Sequence, residues 1–214
     1  MVQPYRPAPV DARLATAADL PAAVETLARA FYSDPVWGWA FSDPERRLDH
    51  LRMLWRELAE SALGYESAWI VGDGAAVALW IPPGKPELSP EAEERVEALV
   101  RKLLGTGAAR VLETFERFDA AHPQDEPHYY LSLLATSPDH SGRGLGMGLL
   151  ADCLTRIDAE GASAFLESSN PVNTPRYERL GFSVCGEFEL HEGGPNVTQM
   201  WRDTGGSAGA SPPS

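Results

Sequence analysis

Cysteine is scarce in this chain. The two that occur, Cys153 and Cys185, stand far apart without metal-ligand spacing, so they offer neither a disulfide framework nor a thiolate metal site. Long apolar runs are missing as well. None approaches the ~20 residues of a membrane span, and Met1 to Arg13 lacks the apolar core of a signal peptide. These absences lead us to expect a soluble cytoplasmic protein with no membrane partner and no metal. Basic charge is the third shortage: 18 Lys and Arg stand against 31 Asp and Glu, for a net charge of −13. Phosphate contacts need concentrated Lys and Arg, which argues against a nucleic-acid partner. An acidic surface is compatible with a cationic ligand, and it also serves simply to keep a chain soluble.

What is present reads as one domain of 214 residues with a 43% hydrophobic composition. A proline-containing arm, 1–10, precedes a single domain at 11–202. The tail, 203–214, has nothing to bury and is expected to be disordered. Ala12 to Ala15 reads as a short strand. Asp19 is an N-cap candidate for a helix with Leu20, Val24, Leu27, Ala28 and Phe31 on one face. Five aromatics follow between Phe31 and Phe41, and a second helix runs from about Pro44 to Leu63. Strands at Ser67–Val71 and Ala75–Ile81 flank Gly72-Asp-Gly74, a hairpin signal. Two helices fill 85–125, one capped by Ser89 and ended by Gly105. Strands are expected at His128–Thr136, Ser163–Ser168, Phe182–Leu190 and Val197–Arg202.

Between the first two of those strands lies Ser137-Pro-Asp-His-Ser-Gly-Arg-Gly-Leu-Gly-Met-Gly148, opening a helix from Gly144 to about Glu160. Its glycines, at 142, 144, 146 and 148, are expected to leave backbone N–H groups uncovered, and the helix start adds positive potential. The stretch is thus an anion-binding candidate, with a plain glycine-rich connection as the alternative. It is not a Walker loop, because no Gly-Lys-Ser/Thr follows. Nor is it a dinucleotide fingerprint, since Leu149 stands where the third glycine is needed.

His140-Ser-Gly-Arg-Gly-Leu-Gly146 resembles the pyrophosphate loop of the GNAT superfamily of N-acetyltransferases, Gln/Arg-x-x-Gly-x-Gly/Ala, with Ser141 where that pattern has Gln or Arg. Phe165 to Phe182, with Tyr177-Glu-Arg-Leu-Gly-Phe182, resembles the same family's C-terminal half. Within the superfamily, Asp73 to Trp80, Ser137 to His140 and the Tyr177 block are most similar to the puromycin N-acetyltransferase group. The resemblance implies an α/β (α+β) fold with a mixed, mostly antiparallel twisted sheet of about six or seven strands flanked by helices. It makes 85–125 a helical insertion between the third and fourth strands. It implies acetyl-CoA as co-substrate and a small-molecule amine as acceptor, in a monomer or homodimer.

The same resemblance distributes roles. Diphosphate binding falls to Ser141, Gly142, Arg143, Gly144, Leu145, Gly146 and Met147. The pantetheine track falls to Leu134, Ala135 and Thr136. Asn170 and Asn173 are both cofactor-side candidates, and Tyr177 is the candidate acid for the departing thiolate as well as a cofactor contact. An alkyl ammonium of pKa near 10 must lose a proton before it attacks. Glu167, ending one strand, and His128, starting another, are the leading base candidates, ahead of Glu126, Asp34 and Glu66. Cys153 lies on the apolar face of the glycine-loop helix, with no His or Asp placed to activate it as a nucleophile. The expected activity is direct acetyl transfer to a small antibiotic-like or amino-acid-like amine. The alternatives are acetylation of a peptide N-terminus or lysine, and a non-catalytic module that binds acyl-CoA or a drug.

Overall fold

The computed structural model describes residues 7–204; residues 1–6 of the expected arm and 205–214 of the expected tail lie outside them. Its strands are β1 (Ala12–Leu14), β2 (Ala68–Val71), β3 (Ala76–Ile81), β4 (His128–Thr136), β5 (Ser163–Ser168), β6 (Ser183–Glu189) and β7 (Asn196–Arg202). They form one sheet in the order β1-β2-β3-β4-β5-β7-β6. Every neighbouring pair is antiparallel except β4 and β5. The helices are α1 (Leu20–Phe31), α2 (Pro35–Ala40), α3 (Pro44–Gly64), α4 (Pro90–Leu104), α5 (Ala108–Ala121), α6 (Leu145–Ala159) and α7 (Thr174–Glu178).

Two differences from expectation have local causes. Asp19 does not cap α1. Its carboxylate instead accepts from the Thr16 N–H and hydroxyl, both at 2.8 Å, and pairs with Arg13 at 2.7 Å, closing the turn before the helix. The aromatic stretch contains a short helix, α2, because Asp34 caps it by accepting from the Val36 and Trp37 amides while Pro35 opens it.

The sheet separates two cores. Helices α1 to α5 bury Leu27, Leu51, Leu54, Trp55, Val77 and Leu79 against one face. Helix α6 buries Leu149, Leu150, Cys153 and Leu154 against Ala78, Trp80 and Leu166 on the other. Strand side chains alternate between faces, so Val77 and Leu79 join the first core while Ala78 and Trp80 join the second.

In β4 that alternation is interrupted. Leu79 pairs with Leu133 and Trp80 with Leu131, leaving Ser132 as an extra residue, a β-bulge. The bulge explains why Leu131 faces α6 whereas Leu133 and Ala135, two and four residues on, face the opposite core. It also coincides with the parting of the sheet. The β4–β5 ladder runs from His128↔Ser163 to Leu131↔Leu166 and stops there, while β4 continues along β3 to Thr136. Past Leu131 the side of β4 facing β5 has no strand partner. β5 keeps its pairing with β7 through Ser168.

Candidate active site

From the parted strands the chain passes to the glycine turn. Gly142 (φ +76°) and Gly144 (φ +75°) take left-handed conformations, and a side chain at either would meet nothing within 4 Å. α6 has no side-chain cap; Leu145, Gly146 and Met147 supply the amides that a helix leaves without internal partners. The other two glycines do something else, contrary to expectation. At Gly146 a side-chain carbon would lie 2.5 Å from Thr136 Oγ1, and at Gly148 one would lie 2.7 Å from both the Ala8 carbonyl and Val10. Gly148 also donates its N–H to Gly144 O at 2.9 Å. So two glycines open the cradle, and two let α6 approach β4 and the N-terminal segment.

A single cleft of about 1500 Å³ begins at this turn and follows the free side of β4. Of the residues expected at the cofactor, Leu134, Ala135, Thr136, Ser141, Gly142, Gly144, Leu145, Gly146, Met147, Asn170, Asn173 and Tyr177 line it. Arg143 does not line it; its side chain is exposed. The side-chain oxygens of Asn170 and Asn173 are taken, by Val172 N at 3.1 Å and Arg176 Nη1 at 3.0 Å, which leaves their amide donors for a ligand.

Tyr177 lies half-buried on α7, its ring edge-on to Phe182 at 6.2 Å. Burial pushes its hydroxyl up to about 12, the Asp34 charge adds to the rise, and Arg176 opposes it. The proton is therefore held harder than on a free tyrosine. Glu167, at the parting of β4 and β5, accepts from Tyr130 OH at 3.0 Å through Oε2, while its buried Oε1 has no hydrogen-bond partner. Burial raises this carboxyl to about 8, with the Glu87 and Asp119 charges adding and the Tyr130 hydrogen bond opposing.

His128 also lines the cleft, but its ring nitrogens are both engaged: Nδ1 with Glu126 O at 2.7 Å and Nε2 with His122 Nε2 at 3.1 Å. A carbonyl can only accept, so His128 donates through Nδ1 and its Nε2 receives the His122 proton. Both ring nitrogens are therefore engaged within the protein, unlike the partnerless Oε1 of Glu167. Asp34 is likewise committed, to the α2 amides and to Ser169 Oγ at 2.6 Å. Glu66 and Glu126 are exposed. Cys153 is buried and its thiol is pushed up to about 12 by that burial, so it is inert as a nucleophile.

Residues 119–202 match the family model described as an acetyltransferase (GNAT) domain. An uncharacterized N-acetyltransferase of Schizosaccharomyces pombe, C550.08, is 27% identical over 181 residues, spanning 80% of this chain and 73% of the relative. A crystal structure of histone acetyltransferase HPA2 and related acetyltransferase from Corynebacterium glutamicum is 27% identical. It covers 90% of this chain and 95% of that one, with a TM-score of 0.65. These matches support an N-acetyltransferase enzyme built on the GNAT fold. The fold extends to more distant proteins: a Drosophila melanogaster polyamine N-acetyltransferase that forms N-acetylagmatine is 15% identical over 90% of this chain and 98% of that one, at a TM-score of 0.60.

Four residues of this acetyltransferase's cleft escaped the sequence reading: Tyr130, Glu87, Asp119 and His122. Glu87, on the β3–α4 connection, is raised to about 7 by burial, with Ser132 opposing and the Asp119 charge adding. Asp119, on α5, is raised by burial and by Glu93 and Glu116. His122, just past α5, is pulled down to about 4 by burial and by His128. The signal for Tyr130 was available. It pairs with Phe165, so Glu167, two residues on, shares its face of the sheet. The other three come from the α4–α5 region, whose packing against the cleft has no signature in the chain. Among the described residues no group of three or more His, Cys, Asp or Glu is placed to hold a metal, and no helix is long and apolar enough to cross a membrane.

Proposed function

We propose that this enzyme transfers an acetyl group from acetyl-CoA directly to the amine of a small cationic molecule. When bound, acetyl-CoA supplies the activated acetyl thioester. Supporting its placement, Gly142 and Gly144 leave the main chain open, the α6 amides attract a diphosphate, and the unpaired side of β4 offers backbone groups to an extended arm. The Asn170 and Asn173 amides add donors along that track.

The observation that carries the reading is the buried, half-satisfied Glu167 carboxyl in the same cleft as the glycine cradle and Tyr177. As carboxylate, Glu167 takes a proton from the acceptor ammonium, directly or through one water, freeing the nitrogen lone pair. The C–N bond forms as the C–S bond breaks, and the proton that the nitrogen sheds on becoming an amide passes to the departing thiolate, directly or through one water, to give the free thiol. Tyr177, protonated throughout the neutral range, donates a hydrogen bond to the departing sulfur. A thiol's reference pKa is about 8.5, so the tyrosine steadies the thiolate without surrendering its proton outright.

The acceptor end is walled by Phe31 and Trp37 on one side and by Leu112, Phe115 and Phe118 of α5 on another, with Glu87 and Asp119 adding negative charge. An amine with an apolar body suits that lining, and the helical walls favour a small acceptor over an extended peptide. The test is release of free thiol from acetyl-CoA against a panel of primary amines: aminonucleosides first, in view of the resemblance to puromycin N-acetyltransferases, then arylalkylamines and diamines. The reading requires that at least one amine yields its N-acetyl product in step with free CoA. Hydrolysis of acetyl-CoA without any acetylated amine contradicts it.

A further inference from the structure

The base assigned above has a second oxygen to manage. A carboxylate free to rotate presents either oxygen to the acceptor, in many orientations, and proton transfer needs one of them held within hydrogen-bond reach. Glu167 Oε2 is fixed by Tyr130 OH at 3.0 Å, and only Oε1 is left without a partner. The geometry for this is set by the ladder. Tyr130 lies opposite Phe165 in the parallel pair, so its hydroxyl reaches along the shared face to Glu167, just where β4 leaves β5.

The Tyr130 ring cannot swing away easily. His122 stands edge-on to it at 4.8 Å, and Phe165 tilts against it at 6.0 Å. His122 in turn is held by His128 at 3.1 Å and by an edge contact with Phe165 at 5.2 Å. Both imidazoles are driven toward neutrality by burial, so neither places a cation beside the carboxylate to compete with a substrate ammonium.

We propose that Tyr130 is the positioning residue of this acetyltransferase: clamped between His122 and Phe165, it ties down Glu167 Oε2 so that Oε1 faces the acceptor nitrogen. The inference rests on the reading of Glu167 as base. Other groups face the same carboxyl from each neighbouring element: Glu87 from the β3–α4 connection, Asp119 from α5, Gln199 from β7 and Cys185 from β6. One N–H of the Gln199 amide donates to Ala121 O at 2.5 Å, and the side chain also lies near enough to Glu167 to favour its charged form. The two carboxyls favour the protonated Glu167, and Tyr130, ahead of Gln199, opposes them by favouring the charged form.

Tyr130→Phe keeps the ring and its packing and removes only the donor. The experiment measures kcat/KM against pH for wild type, Tyr130→Phe, Glu167→Gln and the double variant, with one accepted amine, and checks each fold by the melting-temperature rise that acetyl-CoA gives. Tyr130→Phe is expected to lower kcat/KM about tenfold, as for loss of a hydrogen bond to a charged group. It should also move the acidic limb up by about one pH unit and leave the acetyl-CoA response unchanged. In the Glu167→Gln background the same change should cost nothing further. An acidic limb that stays in place, or an equal loss in both backgrounds, overturns the role of Tyr130 while leaving Glu167 as base. A Glu167→Gln variant as active as wild type overturns both.

Discussion

At Gly146 an added methyl group would meet the Thr136 hydroxyl at 2.5 Å, and both residues line the cleft where β4 turns toward α6. Gly146→Ala must therefore push α6 from β4 or force Thr136 to another rotamer. Overpacking of this kind costs about 1–3 kcal/mol, measurable as a lower urea midpoint. Gly144 is different, for its surroundings are open but its φ is +75°. Gly144→Ala is expected to cost about 1 kcal/mol from the left-handed backbone, together with a raised KM for acetyl-CoA and little change in KM for the amine. Four glycines in one short stretch signalled that the main chain was special. Which of them face a ligand and which face a neighbouring element depends on distances between residues far apart in sequence, and those are invisible along the chain. His128 shows the same limit, because its engagement with His122 is made by the end of α5 folding over β4.

Most elements were legible because each has its own punctuation: Ser89 and Gly105 bounding α4, the hairpin glycines between β2 and β3, and the apolar repeat of α6. The bulge at Ser132 was not, since a serine inside an otherwise apolar strand looks the same whether paired or extra. Yet that one residue sets which way Leu131 and Leu133 point, and the β4–β5 ladder ends beside it. The α4–α5 pair was legible as two helices but not as a wall of the cleft. On α5, Phe118 is partly buried, stacks on Trp37 at 6.2 Å and meets Phe188 edge-on at 5.3 Å. Phe118→Ala should destabilise the protein by about 2–3 kcal/mol, the lower part of the range for a large-to-small change. If α5 forms the acceptor wall, the same variant raises KM for the amine severalfold and leaves KM for acetyl-CoA alone, as steady-state kinetics with each substrate varied in turn would register.

Over the whole molecule, buried carboxyls make stability depend on pH in an unusual sense. Glu167 rises from an ordinary 4.5 to about 8 and Glu87 from 4.5 to about 7, so between those values the folded protein binds more protons than the unfolded chain. Stability then falls as pH climbs through that window, the reverse of the behaviour of paired carboxylates. His122, lowered from 6.5 to about 4, works in the opposite sense and only below pH 6.5. The melting temperature of the ligand-free enzyme is therefore expected to decline from about pH 6.5 to 8. Glu167→Gln, which cannot ionise, should flatten that decline by several degrees on a scale of about 2–4 °C per kcal/mol. The net charge of −13 was compatible with a cationic ligand and no more specific than that. It did not predict that Glu167 and Glu87 would be buried together in the cleft with carboxyls raised by that burial.

The most direct measurement is free-thiol release from acetyl-CoA by wild type and Glu167→Gln, each with the same accepted primary amine and at a series of pH values. The wild-type rate should rise as pH climbs through about 8, where the Glu167 carboxyl ionises. The variant should lose about a hundredfold, within the usual worth of a general base, with no such rise and with its acetyl-CoA stabilisation intact. A Glu167→Gln enzyme that keeps both the wild-type rate and the wild-type pH profile would contradict the account.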